Sequence, residues 1–162
     1  MSSALPPATD TEIGYAPPTV RQFSVFLDNK VGKLLELLRT FDEASSTRMA
    51  AFAIMDASDF AVVRMIFTNA DAARHILRRS QYTFSETDLL IVEIGAEQGL
   101  SGACLYLLGA ELNIRFAYPI MLRGDRPAVA ISVDDNHLAG QILLRKRFRL
   151  LCEEDLAPSG HD

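Results

Sequence analysis

Apolar and polar positions along this chain change period in a regular order. Residues 22–27 (Gln22-Phe23-Ser24-Val25-Phe26-Leu27) partly alternate and are rich in β-formers, which predicts a strand. Over residues 33–41 the period lengthens. Leu34, Leu37, Leu38 and Phe41 share one helical face, with Lys33, Glu36 and Arg39 on the other. Residues 48–55 and 60–68 read as two strands joined by a turn at Ala57-Ser58-Asp59. Asn69 suits an N-cap, with Asp71 in the first turn, for a helix that buries Ala73, Ile76 and Leu77. A short strand at residues 82–85 completes the order β-α-β-β-α-β.

The chain then writes the same order again. Residues 89–94 predict a strand and residues 100–112 a helix with Cys104, Leu105, Leu108 and Leu112 inward. Residues 113–122 and 128–133 form a hairpin around Arg123-Gly124-Asp125-Arg126. Asp135 caps a helix carrying Leu138, Ile142 and Leu143, and residues 148–151 close the unit. Gly32 and Gly99 mark the same point in each copy, and Glu86-Thr87-Asp88-Leu89 and Glu153-Glu154-Asp155-Leu156 end them. The predicted fold class is α+β: two ferredoxin-like βαββαβ repeats, each an antiparallel sheet with helices on one face. A sheet covered on one side leaves an apolar back and open edges, so a homodimer is expected. The expected divisions are a flexible Pro-rich arm at 1–20, repeats at 21–88 and 89–156, and a tail at 157–162.

Composition narrows the function classes. At 162 residues and 49% hydrophobic, the chain has enough apolar material for a core. Its apolar runs fall short of the ~20 residues that cross a bilayer, and residues 1–20 lack the basic and apolar regions of a secretion signal. A cytoplasmic location with no membrane partner is the expectation. The net charge of −5 argues against a nucleic-acid partner, since phosphate contacts need a basic footprint. An RNA-binding βαββαβ module is a remote alternative, because residues 61–67 and 128–133 lack the stacking aromatics and basic-glycine motif it needs. Cys104 and Cys152 stand far apart, outside any metal-ligand spacing, and Cys104 reads as a buried reduced thiol. His75, His137 and His161 are scattered, and no phosphate loop or metal motif is written in the chain. No metal, no cofactor and no catalysis are therefore expected.

Ser24-Val25-Phe26-Leu27-Asp28-Asn29-Lys30-Val31-Gly32-Lys33-Leu34 resembles the opening of ACT domains, where a strand runs through an Asn-x-Pro-Gly-x-Leu-like turn into the first helix. Residues 53–64 resemble the second and third strands of tandem ACT proteins, and the likeness extends from residue 22 to about residue 156. Val31 stands where that family has proline, and Glu97-Gln98-Gly99 keeps only the glycine. The resemblance implies a regulatory protein that binds an amino acid or related small metabolite where modules meet. It carries Asn29 and Gly32, with Val31 between them, over as ligand-binding positions, and Gly99 as the matching point of the second copy. A regulatory subunit of an amino-acid biosynthetic enzyme, of the acetolactate synthase small-subunit kind, is the alternative; there the enzyme is a partner.

Chemistry adds two residues. An amino acid needs donors for its carboxylate and acceptors for its ammonium. The helix N-terminus after Gly32 offers free N–H groups, Asn29 offers a donor and an acceptor, and Asp28 can meet the ammonium. The same Asp-Asn and Gly residues also suit a plain turn. Arg64 lies in an otherwise apolar strand, where it holds a carboxylate at a seam, makes an ion pair, or reaches solvent. Arg145-Lys146-Arg147 with Arg149 reads as a solvated helix end. The first copy thus carries the richer polar vocabulary, and the second is expected mainly to pair.

Overall fold

Local signals set the helix ends where the sequence places them. In the computed structural model, which describes residues 16–28, 31–121 and 126–157, the Asn69 side chain accepts the Ala72 N–H and Asp135 accepts the Leu138 N–H. These caps open α2 (Ala70–Arg79) and α4 (Asn136–Arg145). The first helix of each copy starts after a glycine: α1 (Lys33–Asp42) follows Gly32, and α3 (Leu100–Gly109) follows Gly99. Only Gly32, at φ 92°, needs the left-handed backbone that glycine adopts freely.

The strands are β1 (Val20–Asp28), β2 (Met49–Asp56), β3 (Phe60–Phe67), β4 (Thr83–Glu93), β5 (Ile114–Pro119) and β6 (Ala128–Val133). They form one antiparallel sheet in the order β2-β3-β1-β4-β6-β5. The two strands expected at 82–85 and 89–94 are one. Residues 83–89 of β4 pair with β1, and residues 90–93 pair with β6. One continuous strand therefore ends the first copy and begins the second. The strand expected at 148–151 is reduced to a single bridge, Val92 with Leu150.

Period-two alternation sends each strand's residues to two different cores. Phe23, Val25, Val63, Met65 and Phe67 meet Leu37 and Phe41 of α1 and Leu77 of α2. Leu90, Val92, Ile131 and Val133 meet Leu107 of α3 and Leu143 of α4. The opposite faces meet each other. Val20, Ile66, Leu89, Ile91, Tyr118, Ala128 and Ala130 form one buried cluster between the copies. The sheet folds back on itself until its edge strands approach, and the Met121 N–H, just past β5, donates to the Ala50 carbonyl of β2 at 2.7 Å. The apolar backs that the sequence leaves open for a second chain thus cover one another within this one.

Some expected inward residues point out. Cys104, Leu105 and Leu108 of α3 are exposed, and Ala103 and Leu107 are buried in their place. Residues 100–110 carry no charge, so hydropathy could not mark which side of this helix faces the core. Pro17, within the expected arm, is buried against α4. A Cβ on Gly140 would stand 2.4 Å from the Pro17 Cβ, so glycine there admits the proline ring.

Candidate functional site

A cavity of about 650 Å³ opens where β4 runs into α3. Its walls are residues 93–98, Arg126 and Pro127 at the start of β6, and Arg147, Phe148 and Arg149 after α4. Backbone hydrogen bonds fix this corner: Ile94 N–H to the Pro127 carbonyl at 2.8 Å and Glu93 N–H to the Arg149 carbonyl at 2.9 Å. The Gln98 side-chain amide donates to the Lys146 carbonyl and ties the loop to the end of α4. Gly99 N-caps α3 with an extended backbone and no side-chain cap, so that helix end presents uncapped N–H groups beside the loop.

Charge in the cavity is organised around Glu93, whose side chain is only 10% exposed. It accepts from Arg126 at 3.1 Å and from Arg149 at 3.5 Å. Arg149 also reaches Asp155 at 3.2 Å, and Asp155 accepts the Cys152 N–H at 2.9 Å. The Asp155 carboxylate pushes the Cys152 thiol above its ordinary pKa. This chain of contacts ends at the 3-10 turn Glu153–Leu156, where Glu153 accepts the Ala70 N–H that begins α2, at 2.6 Å. A side chain at the end of the second copy therefore caps a helix of the first.

The corresponding corner of the first copy holds a smaller cavity of about 300 Å³. Asp28, Lys33 and Glu36 line it, with residues 80–83 after α2. In both copies the second helix ends in the same motif. Tyr82 N–H bonds the Leu77 carbonyl and Gln81 N–H the Arg78 carbonyl; Phe148 N–H bonds Leu143 and Arg147 N–H bonds Leu144. The left-handed position in this motif is usually glycine. Here it is Gln81, at φ 63°, and Arg147, at φ 68°.

The six residues singled out by sequence do not form one site. Asp28 lines the smaller cavity, Gly32 caps α1, Val31 is fully exposed, and Asn29 lies outside the described residues. Gly99 stands beside the larger cavity, next to Gln98. Arg64 is elsewhere, on the seam between the copies. Its guanidinium lies 3.8 Å from the centroid of the Phe116 ring, and Phe116 stacks on Tyr118. The Tyr118 hydroxyl donates to Gln22 Oε1 at 2.6 Å, and burial raises its pKa. Arg147 and Arg149 are exposed after α4, as a solvated helix end implies, and sequence reasoning missed only that they also wall the larger cavity. Aligning the copies was the available signal: Gln81-Tyr82-Thr83 of the first becomes Arg147-Phe148-Arg149 in the second.

Comparisons with known proteins agree with this architecture. A crystal structure of protein BT0572 from Bacteroides thetaiotaomicron superposes with a TM-score of 0.77 at 22% identity, over 88% of this chain and 98% of that one. The regulatory subunit of aspartate kinase from Thermus thermophilus, in its ligand-free form, gives a TM-score of 0.50 at 9% identity, over 80% of this chain and 93% of that one. Both likenesses speak to fold alone. A search of curated proteins gives no match. The profile of the family described as an ACT domain pair matches residues 18–159. The chain belongs to the ACT domain pair family.

Proposed function

We propose that this protein is a regulatory sensor that binds an amino acid, or a closely related metabolite, in the cavity between β4, α3 and the end of α4. The observation that carries the reading is that cavity's composition. It joins uncapped N–H groups, guanidiniums and carboxylates in one corner of an ACT domain pair. The α-carboxylate is met by the N-terminus of α3, where backbone donors and the helix dipole favour an anion. Glu97, which lines the same cavity, is the acceptor for the ammonium. The smaller cavity, with Asp28 and the Gly32 turn, is a second and weaker site.

Signalling follows from the contacts that leave the cavity. A ligand that competes for Glu93 or Arg149 alters the Glu93–Arg149–Asp155 chain, and with it the turn whose Glu153 holds α2. It shifts the arrangement of the copies only to the extent that it binds one arrangement more tightly. The readout is made by a partner protein or by a homodimer, for which Leu105 and Leu108 on α3 offer an exposed apolar face. Catalysis has no part in this reading.

A thermal-shift screen of the full chain against the standard amino acids tests it. At a hundredfold excess over the dissociation constant, the ligand adds about 2.7 kcal/mol of stability. A flat response to all of them contradicts the sensor reading.

A further inference from the structure

The two copies place chemically different walls around matching cavities, and the difference points to the ligand. This inference rests on the amino-acid reading above. Beside the first cavity stand Asp28, Glu36 and Lys33, two carboxylates to one ammonium. Beside the second stand Arg126, Arg147 and Arg149 against Glu93 and Glu97. Local charge is thus reversed in sign, in a chain whose net charge is −5. Glu93 already takes up Arg126 and Arg149, and Arg149 also pairs with Asp155. Arg147 has no carboxylate partner among the described residues. Its backbone is held in the left-handed Schellman position by Arg147 N–H to the Leu144 carbonyl at 3.0 Å and Phe148 N–H to the Leu143 carbonyl at 3.0 Å. Gln98 on the preceding carbonyl, and Lys146 over the Tyr106 ring at 5.1 Å, fix the same turn against α3. The first copy has neutral Gln81 in the same motif.

We propose that the second cavity selects an amino acid bearing a second acidic group, of the aspartate or glutamate type, and that Arg147 is the residue that reads that group. The α-carboxylate takes the N–H groups of α3, the ammonium takes Glu97, and the side-chain carboxylate takes the guanidinium left free. A planar guanidinium offers such a carboxylate two parallel hydrogen bonds, which an amide cannot accept in the same way. The unequal cavities follow directly: with Gln81 in the matching position, the first site offers no guanidinium, and its one cation, Lys33, is paired with Glu36 at 3.4 Å.

Titration calorimetry of the full chain with L-glutamate, L-aspartate, L-glutamine and L-asparagine tests this. Each acid is expected to bind at least about tenfold tighter than its amide. Arg147→Gln installs the residue that the first copy carries at the same backbone conformation. It should erase that preference while leaving the melting temperature of the unliganded protein unchanged. Arg147→Gly, which relieves the left-handed strain, should also erase it and raise the melting temperature or leave it level. Equal binding of acid and amide, or a preference that survives both substitutions, overturns the proposal. Binding of neutral amino acids alone overturns it and leaves the sensor reading standing. Failure of every amino acid to bind overturns both.

Discussion

Glu86 sits where β4 passes under α2, and two cations hold it there. Arg74 reaches both of its oxygens, at 2.7 and 2.8 Å, and Arg21 approaches at 3.4 Å. The Arg74 hydrogen bonds hold the Glu86 carboxyl below its usual pKa. A carboxyl whose folded pKa is depressed adds stability above its unfolded value, near pH 4.3, and that stability is lost as pH falls through the folded value. Urea midpoints measured from pH 7 down to pH 2 should therefore fall below about pH 4, and Glu86→Gln should flatten part of that fall; an unchanged slope would contradict the assignment. Gly140 gives a second test. Alanine there would place its Cβ on Pro17, and Gly140→Ala should cost about 1–3 kcal/mol in chemical denaturation. Residues of this kind divide by how local their reason is. Asn69, Asp135 and Gly32 were legible because a cap or a turn needs only its own neighbours. Gly140 was not, because its reason is a proline more than a hundred residues away in sequence.

At the level of elements, periodicity served where polar residues interrupt the apolar ones. In α1 the buried residues, Leu37 and Phe41, lie on the expected stripe. In α3 nothing polar enough marks a side, and the inward face is the one holding Ala103 and Leu107. Leu107 is 1% exposed and Leu108 is 70% exposed. Leu107→Ala should cost about 2–5 kcal/mol, whereas Leu108→Ala should stay within about 0.5 kcal/mol. Similar losses for the two would show that α3 is turned otherwise. The fusion of two expected strands into β4 has a comparable origin. Residues 85–88, Ser-Glu-Thr-Asp, look like a break when read alone. They remain in the strand because pairing with residues 21–24 of β1 supplies the ladder.

For the whole molecule, the order of elements and their duplication were legible, and the way the copies close on each other was not. Strand alternation marks two faces but does not say whether the second face meets solvent, another chain or the other half of the same chain. Here Ile66, Leu89, Ile91 and Ala130 share one buried cluster, and Tyr118 of the second copy bonds Gln22 of the first. With β4 and this cluster shared, neither copy has a complete core alone, so calorimetry should record one transition with calorimetric and van't Hoff enthalpies equal. Two resolved transitions would mean that the copies fold independently.

The same closure leaves the two loop corners open and unequal, and the account turns on the larger one. Amide chemical-shift mapping of the full chain, titrated with the amino acid that stabilises it most, addresses this directly. The predicted result is a contiguous set of shifts at residues 94–102 and 147–149, with smaller ones reaching the Glu153–Leu156 turn. Shifts confined to the Gly32 corner or to the Arg64 seam would contradict it.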